Sequence, residues 1–267
     1  LFSDIDLRYV RGFDMFLQKR GCCGNTRKFY FKALRAILNR ANAEGVGSAA
    51  TYPFGRGGFE VSKLEEATAK RYLPAAELSK LKSTTASNPQ CEYARKLFLF
   101  SYYCYGISFI DMAMLTAAQI KQMEDGDYIV YKRQKIKRQK GVKPISIKIT
   151  PAIRQLIGSL QAASPTVDDF LLPIVTRSGY TGERLYMHIR ARYSKYQKYL
   201  RLLAEELGID FHLTSYVSRH TAAMTLQRNN IPREVISQML GHADLETTNI
   251  YLDSFDNEVI NEAAKVL

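Results

Sequence analysis

Cysteine is sparse and poorly placed for chemistry. Cys22, Cys23, Cys91 and Cys104 form no Cys-x-x-Cys pair, which argues against both a zinc ligand set and a disulfide framework. The expectation is a cytoplasmic chain in a reducing compartment with buried or incidental thiols. The four histidines, His188, His212, His220 and His242, form neither His-Glu-x-x-His nor a histidine tract, so no protein-held metal is expected. No apolar run approaches the ~20 residues that span a bilayer. Leu1 to Leu17 alternates apolar and charged residues, without the apolar core of a signal peptide. The chain opens on Leu1 instead of Met, so a fragment lacking upstream residues is expected. Internal repeats and low-complexity tracts are missing too. Acidic residues are short in number: 26 Asp and Glu stand against 38 Lys and Arg, a net charge of +12. Such a balance speaks of partners rather than fold, with nucleic acid first and an anionic membrane surface second. With 46% of its 267 residues apolar, the chain can build full cores and is not a disordered polymer.

The first stretch reads as helices. Asp4 to Lys19 sets Ile5, Val10, Phe13, Phe16 and Leu17 at helical spacing and stops at Gly21. Asn25-Thr26 is positioned to cap a second helix reaching Glu44, with Phe29, Phe31, Leu34, Ile37 and Leu38 as its apolar set and Gly45 as its stop. Pro53 to Gly58 is a loop, and Pro74 suits the first turn of another helix. The polar run from Lys82 to Pro89 reads as a linker. Residues 1–80 are therefore expected to form one helical domain, 81–90 the connection, and 91–267 a second domain. The second opens on an apolar helix from Tyr93 to Cys104. Two strand candidates follow, Asp127 to Lys132 and Ile145 to Ile149, joined by a basic turn. Helices then return, over Tyr193–Leu207, Tyr216–Asn229, Arg233–Leu240, Thr247–Phe255 and Asn257–Leu267. The class is mostly α (α+β), with one small antiparallel β-sheet.

The chemistry-bearing residues concentrate between Leu213 and Asp253. Arg219-His220 lies on a helix; Leu240-Gly241-His242 places a second histidine 22 residues after the first; Thr247-Thr248 precedes Tyr251, nine residues after His242. Upstream stand Ala94 to Tyr103 followed by Gly106-Ile107-Ser108-Phe109-Ile110-Asp111, the hairpin run Tyr131-Lys132-Arg133-Gln134-Lys135, and the N-terminal Asn25-Thr26-Arg27-Lys28 with Leu34 to Ala41. This ordered set of blocks, spread over nearly the whole chain, resembles the tyrosine recombinase (phage integrase) family of the mobile-element kind.

The resemblance implies a small helical core-binding (SAM-like) domain and a mainly helical catalytic domain closing as a C-shaped clamp on double-stranded DNA. The implied reaction is site-specific cutting and rejoining of DNA through a 3′-phosphotyrosyl intermediate, with no cofactor, by a chain that is monomeric when free and tetrameric on DNA. Tyr251 is the implied nucleophile. Arg219 and His242 would hold the phosphate, and Lys135 would protonate the leaving 5′-oxygen. Two positions depart from the family pattern. Tyr105 stands where a first arginine is expected, at a helix end expected to face the pocket, and Tyr216 stands where the second box has histidine. Arg27, Lys28, Lys32, Arg35, Arg133, Arg138 and His220 are the expected DNA contacts. The amphipathic helix after Asn257 would dock on a neighbouring protomer.

Other readings fit the same residues. Arg219 shares an apolar stripe with Ala223 and Leu226, as a buried arginine held by a carboxylate would. His242 after glycine suits a helix-end cap, and the cations from Lys132 to Lys143, like those from Arg27 to Arg35, suit solvated faces. At the level of the whole chain, a helix-turn-helix regulator with its turn at Asn229-Asn230-Ile231-Pro232 competes. So does a recombinase-fold protein that binds DNA but, with Tyr105 in its pocket, has weakened or lost chemistry.

Overall fold

A computed structural model describes residues 1–66 and 72–241. Two compact units divide the chain, Leu1–Ala69 and Lys70–Leu267. In the first, helix α1 (Leu7–Lys19) starts where the Asp6 carboxylate accepts the Tyr9 amide at 2.7 Å. Helix α2 (Gly24–Ala43) follows, with Cys23 at its N-cap and no side-chain cap bond. Asn25 is thus inside the helix. Its amide brackets the backbone of Glu66 instead, donating to the carbonyl at 2.7 Å and accepting from the N–H at 3.3 Å. Val10, Leu17, Phe31, Leu38, Phe54 and Val61 make the core, with the Phe31 ring against Phe13, Phe54 and Phe59. Three residues expected inside lie outside: Phe16, Phe29 and Ile37 are 50%, 70% and 55% exposed. Residues 31, 34, 38 and 41 form one face of α2, and 29 and 37 fall beyond it. The apolar positions therefore span more of the helix than one buried stripe can cover.

The second unit is built around helix α4 (Pro89–Tyr103). Asn88 caps it by accepting from the Gln90 and Cys91 amides at 2.8 and 3.3 Å, and Pro89 opens its first turn. Leu97, Phe98 and Phe100 are fully buried, because α3 (Ala75–Ser83), α6 (Pro151–Ala163), α7 (Gly182–Glu206) and α8 (Val217–Arg228) surround it. The expected boundary moves. Leu73, Leu78 and Leu81 belong to this unit's core, and the buried Arg95 donates to the Leu81 carbonyl at 2.7 Å. The polar run at 82–90 is not an interdomain linker; it holds the end of α3 and the cap of α4, where polar side chains satisfy terminal backbone groups.

Short helix α5 (Phe109–Ala113) leads to an antiparallel sheet of order β1 (Ile120–Met123), β2 (Gly126–Tyr131), β3 (Ile145–Lys148). The register pairs Ile129 with Ile147 and Tyr131 with Ile145. The hairpin is the one expected; strand β1 is additional. Helix α7 begins eleven residues before Tyr193. Its first turns expose Tyr186 and Met187, so no buried period marks them. Helix α9 (Arg233–Leu240) ends on Gly241 in the left-handed conformation. The helices expected at Thr247–Phe255 and Asn257–Leu267, with His242 and Tyr251, lie outside the described residues. Among the described residues no helix is long and apolar enough to cross a membrane.

Candidate active site

Arg219 sits in the first turn of α8 and is 4% exposed. The turn after α4 holds it there. The Ser101 and Ser218 hydroxyls lie 2.8 Å apart, with the Ile107 and Ser215 carbonyls as their other partners. Gly106 permits the approach: its φ is +71°, and a Cβ there would stand 2.5 and 2.6 Å from Arg219 Cβ and Cγ. The guanidinium donates from Nη1 to the Gly106 carbonyl at 3.1 Å and from Nη2 to the Leu240 carbonyl at 2.6 Å. Burial, and then the like charge of Arg133, lower its pKa to about 10, against opposing contributions from Tyr216, Tyr131 and Asp111. At neutral pH it stays a cation.

Arg133 enters from the other side, just after β2. Its Nη1 donates to the Gly241 carbonyl at 3.1 Å. The next residue is pinned, since the Gln134 amide donates to Asp111 Oδ1 at 2.7 Å and Ser108 donates to Asp111 Oδ2 at 2.6 Å. Gly241, at φ +62°, must also be small: an added Cβ would lie 2.9 Å from Ile145 Cγ1 and 3.3 Å from Arg133 Cδ. The two guanidinium groups border one open cavity of about 390 Å³, lined also by Arg190, Tyr193, Ser108 and Tyr216. Tyr216, 53% exposed at the start of α8, meets the His220 ring edge-on at 4.9 Å. Tyr193 and Ser215 join their hydroxyls at 3.0 Å. An open cavity with two fixed guanidinium groups suits a tetrahedral oxyanion.

Several expected residues are placed otherwise. Tyr105 does not line the cavity. Residues 105 and 106 both have positive φ, +57° and +71°, and this turn presents backbone to Arg219 while the phenol packs against the unit's core. Burial raises its pKa, and the Lys148 backbone N–H against its oxygen works the other way. The phenol therefore covers β3 instead of facing an anion. Lys135 and Arg138 lie exposed on the turn after Arg133, outside the cavity lining. In the first unit Arg27 is committed to Asp14 at 3.0 Å, both largely buried, so it is no free phosphate contact. Lys28 pairs with Glu65 at 2.5 Å. Lys32 and Arg35 are exposed and border a concavity of about 620 Å³ with Lys28 and Arg56. Arg56 and Arg190 were not anticipated. The signal for Arg56 was a single cation among Gly55, Gly57 and Gly58; for Arg190 it was helical spacing between Tyr186 and Tyr193.

The chain is similar to known proteins along its whole length. A model of the phage integrase family matches residues 71–258, and one of the phage integrase SAM-like domain matches residues 1–61. Tyrosine recombinase XerC of Rhodospirillum centenum is 31% identical over 114 residues, 43% of this chain and 31% of that protein. Transposase B from transposon Tn554 of Staphylococcus aureus is 24% identical over 196 residues, 73% of this chain and 30% of that protein. Tyrosine recombinase XerD of Halalkalibacterium halodurans is 43% identical over 54 residues, 20% of this chain and 18% of that protein. The matched segments span less than a third of each of these relatives. Among solved structures, XerH site-specific recombinase bound to a palindromic difH substrate superposes with a TM-score of 0.66 at 18% identity, covering 99% of this chain and 73% of that one. The Tn1549 transposon integrase in complex with transposon right end DNA gives 0.65 at 13% identity, covering 98% and 85%.

Proposed function

The chain belongs to the phage integrase family, and on that premise we propose that it is a site-specific DNA recombinase of the tyrosine type, acting on double-stranded DNA at the ends of a mobile element. The observation that carries the reading is the buried Arg219, held by two backbone carbonyls on the edge of an open cavity that Arg133 and Arg190 also line. In this reading the guanidinium fork takes the non-bridging oxygens of the scissile phosphate. Tyr251 Oη attacks phosphorus, the bond to the 5′-oxygen breaks, and a 3′-phosphotyrosyl link forms. One proton leaves the phenol and one joins the 5′-oxygen, delivered by Lys135. His242 donates a hydrogen bond to the phosphate. Lys135 stands on the exposed turn, so its role requires that turn to close over the duplex. Rejoining reverses the step with a new 5′-hydroxyl, and the conserved bond energy makes ATP unnecessary.

Duplex binding is supported by the net charge of +12 and by the exposed Lys32, Arg35 and Arg56. We assign the assembled state as four protomers on two duplexes, and the free chain as a monomer. The family match does not favour the helix-turn-helix reading. A binding-only protein rested on Tyr105, and with its phenol against β3 the residue says little about the cavity.

The test is a nicked suicide duplex carrying the sequence recovered by selection from a random pool. The wild-type chain should form an SDS-resistant adduct; Tyr251→Phe should form none while binding within about twofold, because one hydroxyl is lost and the phosphate contacts stay. An adduct with the phenylalanine variant would remove Tyr251 from its role. No adduct with the wild type would overturn the recombinase reading.

A further inference from the structure

We propose that Arg133 is a catalytic residue of this site, the second guanidinium that grips the scissile phosphate beside Arg219. The proposal rests on the recombinase reading and adds a cation whose role the resemblance left general.

Three features set Arg133 apart from the other cations of its basic run. Its stem packs on Gly241, where an added Cβ would come within 3.3 Å of Cδ. Its guanidinium is anchored at one corner only: Nη1 holds the Gly241 carbonyl, while among the described residues Nε and Nη2 make no hydrogen bond. Its chain neighbour is locked through Asp111, which is buried and already shared with Ser108. Lys132, Lys135, Lys137 and Arg138 are by contrast exposed, as solvated side chains are.

Electrostatics gives the arrangement a purpose. Two guanidinium groups bordering one cavity repel unless an anion lies between them. The nearby Asp111 carboxylate already accepts from Gln134 and Ser108, so it is a brace for the hairpin base more than a counter-ion for the cavity. A DNA phosphate is an anion that two such groups can share. A phosphodiester carries one negative charge and its pentavalent transition state carries two, so donors fixed in advance on both sides favour the transition state more than the ground state. Arg133 also explains how a cavity can work with Tyr105 turned to β3: the charge comes from the hairpin, across the cavity from α8.

The experiment measures single-turnover adduct formation by the full chain on the selected nicked duplex, beside equilibrium binding. Arg133→Ala should slow adduct formation about 100-fold with binding within about threefold, and Arg133→Lys, which keeps the charge but loses the fork, about 10-fold. A second duplex carries a neutral methylphosphonate at the scissile position. With one anionic oxygen gone, the Arg133→Ala defect should shrink to less than 10-fold, an outcome that a merely structural arginine would not produce. Tyr105→Arg should bring no gain, since the side chain leaves the turn away from the cavity. A wild-type rate for Arg133→Ala, or an equal defect on both duplexes, would overturn the proposal while leaving the recombinase reading intact. A tenfold gain from Tyr105→Arg would do the same. Absence of any wild-type adduct would take down the reading beneath it as well.

Discussion

Gly106→Ala tests whether the close seat of Arg219 is what the second unit is built around. The substitution adds one methyl group, and the structure leaves it nowhere to go: Arg219 Cβ and Cγ would stand 2.5 and 2.6 Å away, with Arg219 Cα also in overlap. The obstacle includes backbone, so it cannot swing aside as the end of a flexible side chain would. The left-handed φ of +71° costs an L-residue about 1–2 kcal/mol by itself. Relieving the overlap means parting α8 from the turn. That weakens the charged hydrogen bond from Arg219 to the Gly106 carbonyl, worth about 1.5–3 kcal/mol, and the Ser101–Ser218 pair, worth about 1 kcal/mol. A loss of about 4 kcal/mol is expected, a large share of the ~5–15 kcal/mol that a domain has. The assay is urea unfolding of the full chain, with Gly158→Ala as the control in the same unit. Gly158 is exposed in the middle of α6 with nothing within 4 Å of an added Cβ, so alanine there should gain about 0.5–1 kcal/mol. A Gly106→Ala loss below about 1 kcal/mol would refute the packing argument.

Lys32→Ala, Arg35→Ala and Arg56→Ala should each lower the slope of log K against log salt by about 0.9, while Arg27→Gln, removing a cation already paired with Asp14, should leave it unchanged; mobility-shift titrations over a salt series decide. Glu92 is pulled upward by burial, but its hydrogen bonds from Arg95 and Ala86 and the charges of Arg95 and Lys96 prevail and leave its pKa lowered. A lowered folded-state pKa means the unfolded chain binds more protons, so this stabilisation is present above the ordinary carboxylate range and is lost as pH falls through the depressed value. The wild type should therefore lose more stability than Glu92→Gln between about pH 5 and 3, and parallel unfolding curves for the two would contradict the assignment. Tyr196→Phe removes a buried hydroxyl that has no hydrogen-bond partner among the described residues and should stabilise the chain by about 1 kcal/mol; a loss of that size would mean that the hydroxyl is satisfied in solution.

Much of the framework could be read from residue order because the elements involved carry one clear period. The alternation of Ile145 and Ile147 marks the buried face of β3, but in β2 the alternation of Tyr128 and Val130 picks the wrong face, since Ile129 and Tyr131 are the buried residues opposite Ile147 and Ile145; Arg233–Leu240 is helix α9 to the residue. Failures came where burial and period separate. Strand β1, Ile-Lys-Gln-Met, is exposed at three of its four positions and shows no alternation. Phe16, Phe29 and Ile37 keep the helical spacing yet lie outside, since apolar spacing marks a face without saying what covers it. Arg219 could be singled out from the Arg219-His220 pair on its helix, although the glycine turn that holds it lies 113 residues away. The site was not legible at Tyr105, where two consecutive left-handed residues redirect a side chain, nor in the special standing of Arg133 among the hairpin cations, which depends on a glycine 108 residues away.

The paired grip of Arg219 and Arg133 on the Leu240 and Gly241 carbonyls has a consequence for reach. It makes that turn a fixed point from which the reach of the sequence beyond it can be counted. Tyr251 follows Gly241 by ten residues, and ten residues of backbone span at most about 35 Å. If Tyr251 is the proposed nucleophile, every phosphate it can attack, in its own cavity or in a neighbour's, lies within that distance of Gly241 plus the length of its own side chain. Each residue added or removed between Gly241 and Tyr251 changes that upper limit by about 3.5 Å.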